Sequence, residues 1–312
     1  MSHSSLSFHP LKPGDVISVV APSYGSEEGL LEKVRSFLAS WDLKIKISCD
    51  IFGEDLLYAN SDVKRFETLV EALHDTTTKA IWCLQGGAGS KRLIPLLEEI
   101  QKPCFEKLFI GLSDITALHT FFHQKWQWTP VHASPLRRLG LGIFEPWAID
   151  ELKEVLFGIK KEVQFENLAP LNTLAQNLEQ MAAPLVGGNL AVLQYSLGTS
   201  WQIQTNGKML LLEDVNEKPY RVAEYLEHFR QVGAFEGLKA LFLADFTYDT
   251  PEQDQSALLQ AVFKKFASEV QFSVFRMTGV GHGLISRPFM IGGTATLDGP
   301  EKKLICSFPT VS

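Results

Sequence analysis

Over the first 135 residues the apolar positions switch repeatedly between two spacings. Compact apolar runs at 16–20, 79–84 and 107–111 suit buried strands, and 43–48 alternates as a shorter strand. Between them, 27–41, 61–74 and 93–100 carry apolar residues at helical spacing, with Val63, Phe66, Val70 and Leu73 as the expected buried stripe of the second. Strands alternating with helices predict a parallel sheet covered on both faces. Sites in such sheets lie at the carboxyl ends of strands.

The pattern changes after Pro135. Residues 145–157 look helical and 167–180 are polar and irregular, so 136–183 reads as a connection between an N-terminal α/β domain, 1–135, and a C-terminal domain, 184–312. In the latter a Gly-Gly-Asn turn precedes a helix at 190–197, and strands are expected at 208–212, 238–246 and 272–277. Pro219 sits where a helix takes its first residue, Val222, Leu226 and Phe229 form its stripe, and Gly233 stops it. Residues 289–308 read as a hairpin turning at Asp298-Gly299-Pro300.

Composition narrows the class. The 312 residues are 45% hydrophobic and 21% charged, enough for one large or two medium domains. The net charge of -7, with no basic block, argues against a nucleic-acid partner or a polybasic membrane contact. Cys49, Cys83, Cys104 and Cys306 form no CxxC, and Cys83 and Cys306, in apolar runs, read as buried thiols. The first ten residues lack an apolar signal core and no run reaches the length of a membrane span, so a soluble cytoplasmic protein is expected.

Ser113 is the first candidate for chemistry. The strand 107–111 ends abruptly there, and a helix pattern with Ile115, Leu118 and Phe122 follows at once. A serine on such a turn has an exposed hydroxyl and backbone N–H groups nearby for an oxyanion. The G-x-S-x-G elbow would have glycine where Ile115 stands, and Ser113 or Asp114 could instead cap the helix. The loop Gly86-Gly87-Ala88-Gly89-Ser90 after a strand could cradle a phosphate or an oxyanion, yet it matches neither G-x-G-x-x-G nor the P-loop pattern.

A nucleophilic serine needs a base and a group to orient it. Of eight histidines, His282 stands out, flanked by Gly279, Gly281 and Gly283 on a loop with little side-chain cover; an ordinary glycine-rich turn is the alternative. His3 and His9 fall in the terminal segment, and His74 and His228 lie on polar helix faces. His119 and His123 have the i,i+4 spacing of a metal pair but lack the Glu of H-E-x-x-H. His132 could border the same cleft or be a hydrogen-bonded structural residue. Glu213 ends an apolar run, where a carboxylate needs a partner such as an imidazole N–H; otherwise Glu213, Asp214 and Glu217 form an acidic turn.

Together these segments resemble the L,D-carboxypeptidase family, which includes murein tetrapeptide carboxypeptidases and microcin C7 self-immunity proteins. The likeness runs through the entry strand from Val16 to Ser23, Ala80-Ile81-Trp82-Cys83-Leu84-Gln85-Gly86-Gly87 and Ile110-Gly111-Leu112-Ser113-Asp114. It continues in Leu185-Val186-Gly187-Gly188-Asn189-Leu190, Glu213-Asp214-Val215 with Pro219-Tyr220-Arg221, and Gly281-His282-Gly283. The resemblance implies a flavodoxin-like N-terminal domain bearing the nucleophile Ser113. It also implies a smaller swivelling-type α/β domain that supplies Glu213 and His282, with the site between the domains. Backbone N–H groups of Asp114 and Gly87 would form the oxyanion hole, and Gly86, Ala88 and His132 would border the substrate. A homodimer without metal or cofactor is implied. Two departures concern the substrate: Ala88 stands where the family often has tyrosine, and Ala133-Ser134 follows His132 where Gly-Pro is usual.

The expected activity is release of a C-terminal D-amino acid, D-alanine from a murein tetrapeptide, through a Ser-His-Glu acyl-enzyme. Within the family the rival is an immunity-type amidase that cleaves peptidyl- or aminoacyl-nucleotides. From a different class, a non-catalytic α/β protein could bind a sugar or nucleotide on the 86–89 loop.

Overall fold

The computed structural model describes residues 8–53, 55–250 and 254–310, and divides into two compact units: 1–161 with 308–312, and 162–307. His3 lies outside the described residues. The division at 161/162 falls inside the expected connection. Helices α5 (Leu136–Gly140) and α6 (Pro146–Leu156) belong to the first unit. The stretch 162–179 is sheet edge, strands β6 (Glu162–Phe165) and β7 (Ala169–Pro170) and helix α7 (Thr173–Gln176), and 180–183 opens an interior strand, rather than a linker. Edge strands keep one face or margin in solvent, which makes their sequence look irregular.

The first unit contains β1 (Val16–Val20), α1 (Glu28–Ala39), β2 (Lys44–Ile47), α2 (Asp62–His74), β3 (Ala80–Cys83), α3 (Ile94–Glu98), β4 (Leu108–Gly111), α4 (Thr116–Trp126) and β5 (Val131–His132). The strands lie in the order β5-β4-β3-β1-β2, every pairing parallel. β3 and β4 are buried throughout, whereas the Lys-Ile-Lys-Ile of β2 alternates, as an edge strand should. The order reverses between β1 and β3, so the loops after those strands open a crevice at the carboxyl end of the sheet. α2 departs from its expected stripe: Val63 is exposed, and the buried positions are Arg65, Leu69, Ala72 and Leu73. α4 is buried on nearly all sides, its Phe122 ring stacked at 4.6 Å on Trp126 and edge-on to Phe109 at 4.8 Å.

In the second unit come β8 (Gln180–Asn189), α8 (Leu190–Gln194), β9 (Met209–Val215), α9 (Pro219–Gln231), β10 (Ala240–Thr247), α10 (Ser256–Glu269), β11 (Ser273–Arg276), the short β12 (Phe289–Met290), β13 (Thr294–Asp298) and β14 (Lys303–Ser307). Eight strands are ordered β6-β14-β13-β8-β9-β10-β11-β7. The pairings β8–β9, β9–β10 and β10–β11 are parallel, which brings the carboxyl ends of β9, β10 and β11 side by side. α9 buries Pro219, Val222, Leu226 and Phe229 as expected, and Gly233 follows it at φ +71°. The terminal hairpin forms as β13 and β14. Cys83 and Cys306 are buried free thiols and Cys104 is exposed. Among the described residues no helix is long and apolar enough to cross a membrane.

Candidate active site

In the first unit the chain leaves β4 at Gly111 and turns sharply into a 3-10 turn, Ser113–Ile115, that leads into α4. Ser113 has φ +69°, a left-handed conformation that side chains rarely adopt and that is held only where the surroundings enforce it. The turn is tight enough to need glycine two residues before the serine: a Cβ at Gly111 would come within 2.6 Å of Ile115 Cγ2. Ser113 is half-buried and caps nothing, and no side chain caps the start of the 3-10 turn or of α4. The capping alternative for Ser113 and Asp114 therefore fails.

The carboxylate of Asp114 is committed elsewhere. Buried, it accepts the Ser23 hydroxyl at 2.6 Å and the Ser90 backbone N–H at 2.7 Å, while the Ser90 hydroxyl donates to the Asp114 carbonyl at 2.6 Å. Three segments, following β1, β3 and β4, are thus tied at one residue. The Gly86–Ser90 loop accordingly lies against the Ser113 turn: a Cβ on Gly86 would stand 2.7 Å from Ser113 Cβ. Gly87, at φ +114°, is exposed, and a Cβ there would strike the Tyr24 ring. Ala88 is half-buried beside it.

Arg65 ties the loops after β1 and β3 together. It donates to the carbonyl of Gly89 at 3.1 Å and to that of Pro22, and pairs with Asp62. Nothing in the sequence marks it, because its partners are mostly main-chain carbonyls of distant loops.

The remaining first-unit candidates are structural in position. His132 is fully buried on β5, its ring centroid 6.3 Å from that of His119, so it offers a ligand no surface. His119 is also fully buried, edge-on to Phe109 at 5.7 Å, and burial holds its imidazole well below the ordinary range. His123 Nδ1 lies 3.0 Å from the Trp128 carbonyl. The helical pair thus packs and anchors a helix end. Among the described residues no group of three or more His, Cys, Asp or Glu side chains is placed to hold a metal ion.

In the second unit Glu213 stands at the carboxyl end of β9, fully buried. Its Oε2 is 2.7 Å from Nδ1 of His282, on the loop after β11. The acidic-turn and plain glycine-turn alternatives are thereby replaced by a carboxylate–imidazole pair. A Nδ1–H donated to Glu213 leaves the ring's lone pair on Nε2, the form a general base needs. The glycines around His282 have a steric reason: Gly281 has φ +135°, and a Cβ there would crowd Glu213 Oε2 at 3.0 Å. Asp214, next along the strand, points the other way. It accepts from Asn189 Nδ2 and the Ala191 N–H at 2.9 Å each, and from its neighbour's N–H at 2.8 Å. Burial, then the charge of Glu213, pushes its carboxyl up to about 7 against those donors.

The first unit thus holds a serine in a strained backbone conformation, and the second holds a carboxylate-oriented imidazole. Residues 17–133 match the LD-carboxypeptidase N-terminal domain and 182–297 the LD-carboxypeptidase C-terminal domain. A Rickettsia conorii protein is 39% identical over 290 residues, 93% of this chain and 90% of its own. The murein tetrapeptide carboxypeptidase of Pseudomonas aeruginosa is 27% identical over 290 residues, covering 91% of this chain and 93% of that one. Among solved structures, a muramoyltetrapeptide carboxypeptidase from Oxalobacter formigenes superposes with a TM-score of 0.78 at 23% identity, over 95% of this chain and all of the other. The microcin C7 self immunity protein MccF, in complex with adenosine monophosphate, gives 0.80 at 17% identity over 98% of this chain and all of its own. The chain belongs to the LD-carboxypeptidase family.

Proposed function

We propose that the protein is a serine L,D-carboxypeptidase that releases the terminal D-alanine of murein tetrapeptides in the cytoplasm during cell-wall recycling, acting as a homodimer without a cofactor. The observation that carries this reading is the Glu213–His282 hydrogen bond, since a buried carboxylate fixing Nδ1 of a glycine-flanked imidazole prepares Nε2 as a base. His282 takes the proton of Ser113, and Ser113 Oγ attacks the carbonyl of the residue preceding the D-amino acid. The backbone N–H groups of Asp114 and Gly87 receive the oxyanion. As the peptide bond breaks, the imidazolium returns its proton to the leaving amine. Water, deprotonated by His282, then hydrolyses the acyl-enzyme and Ser113 recovers its proton.

The departure at Ala88, half-buried on the Gly86–Ser90 loop and expected near the substrate, favours keeping an immunity-type amidase as the second reading, whereas Ala133 and Ser134 are buried and border no ligand. The test is mass spectrometry of products from a D-alanine-terminated murein tetrapeptide and from an aminoacyl-nucleotide, each with the wild type and Ser113→Ala. Release of D-alanine by the wild type alone supports the first reading. Cleavage of the nucleotide alone supports the second. Turnover unaffected by Ser113→Ala overturns the serine mechanism.

A further inference from the structure

The carboxyl end of β10 holds a group that this mechanism does not use. Leu212 of β9 pairs with Leu243 of β10, but Asp214 pairs with Phe246, so β10 carries one extra residue opposite Glu213. Such bulges bend a strand and re-aim a side chain. The inserted pair is Ala244-Asp245. The carbonyls beside the irregularity are held by Arg276 of β11, whose Nη1 donates to Leu243 at 2.7 Å and also to Ala244 and Met277.

Asp245 is turned toward the His282 loop and grips it twice. Its backbone N–H donates to the Val280 carbonyl at 3.0 Å, and its Oδ2 accepts the Gly279 N–H at 2.9 Å. With Met277 N–H donating to Leu243 at 3.1 Å, these bonds continue the β10–β11 pairing beyond the end of the strand, up to the residues before His282. The loop also sits close on Asp245, for a Cβ at Gly281 would lie 3.2 Å from Asp245 Cβ. The charged groups around this carboxylate are Glu213 on β9 and Arg276 on β11. Burial, with Glu213 adding to it and the Gly279 N–H and Arg276 opposing it, pushes the Asp245 carboxyl up to about 6.

We propose that Asp245 is a positioning residue for His282: its carboxylate fixes the 279–283 loop so that the imidazole meets Glu213 in one orientation. The catalytic consequence rests on the serine carboxypeptidase reading, whereas the structural one does not. An apolar residue at this strand end could not hold the Gly279 N–H.

The test compares Asp245→Ala and Asp245→Asn with the wild type in three measurements. The asparagine keeps an acceptor oxygen and the shape of the side chain. Amide exchange at Gly279 and the NMR signals of the His282 ring are read without substrate, and kcat and KM are read with the tetrapeptide. For Asp245→Ala, Gly279 exchange should speed up at least about tenfold, the Nδ1 proton signal of His282 should weaken, and kcat should fall about 10–100-fold with KM little changed. Asp245→Asn should recover most of the exchange protection and of kcat. Unchanged Gly279 exchange and an unchanged His282 spectrum in Asp245→Ala would overturn the proposal, as would an Asp245→Asn variant no better than alanine. A failure of Ser113→Ala to reduce turnover would instead count against the reaction assigned above, leaving the His282 measurements to judge Asp245.

Discussion

Glu213 Oε2 and His282 Nδ1 are 2.7 Å apart although 69 positions separate them in the chain. The contact joins the end of a buried parallel strand to a loop two strands away, and it determines which imidazole nitrogen carries the proton. Glu213→Gln tests that determination. The amide can turn its NH2 toward Nδ1, which then becomes an acceptor and puts the proton on Nε2, the wrong nitrogen for a base. We expect kcat to fall about 10²–10⁴-fold with the fold intact, measured as steady-state D-alanine release and checked by thermal unfolding. Near-normal kcat would show that the pair does not orient the base.

Ser113→Ala and His282→Ala should each nearly abolish turnover, and the double variant should be hardly worse than either alone, because groups that act as one unit lose their effect together. Steady-state kinetics on the tetrapeptide decide this. Multiplicative losses would mean that the two residues act in separate steps.

Gly86→Ala probes the packing of the Gly86–Ser90 loop on the Ser113 turn. The new methyl would begin 2.7 Å from Ser113 Cβ and 3.1 Å from the Leu112 carbonyl, so loop and turn must separate by some tenths of an ångström. A displacement of that kind at the reacting atoms should lower kcat about tenfold or more, with less effect on KM. Equal kcat in the variant would remove Gly86 from the site.

The buried carboxyls predict a pH signature. Asp214 and Asp245 are raised from 3.8 to about 7 and about 6 in the folded protein. The folded state therefore holds these protons more tightly than the unfolded chain. Stability from this source is complete below about pH 4 and declines as pH rises toward the folded values. Asp214→Asn cannot ionise. The stability of the wild type relative to this variant should thus drop by on the order of 2–4 kcal/mol between about pH 4 and pH 8. Urea titrations at several pH values measure it, and a gap independent of pH would show that Asp214 titrates normally.

The Ser113 turn and the Glu213–His282 pair were legible before the packing around them was. Ser113, Glu213 and His282 each sit at a break in pattern: an apolar strand that stops at a serine, a carboxylate closing a leucine run, a histidine among glycines. Such breaks stand out in a sequence because strand and helix periodicity do not produce them. Arg65 was illegible for the opposite reason. A helix stripe is read from apolar spacing, and a guanidinium buried against the Pro22 and Gly89 carbonyls has no such spacing. The division at 161/162 falls within the stretch read as a connection, and its place there was not legible because edge strands and a linker share a polar texture. Asp245 escaped notice because a one-residue bulge is a property of register between β9 and β10, which one strand's sequence does not carry.

The left-handed backbone at Ser113 has a bearing on how the protein could change. Holding a serine at φ +69° costs the folded state about 1–2 kcal/mol that a glycine would not incur. Ser113→Gly should accordingly be inert toward substrate and yet unfold at a higher temperature than Ser113→Ala, which keeps the strain without the hydroxyl. Drift toward greater robustness is therefore open at the proposed nucleophile itself, and only selection for turnover closes it.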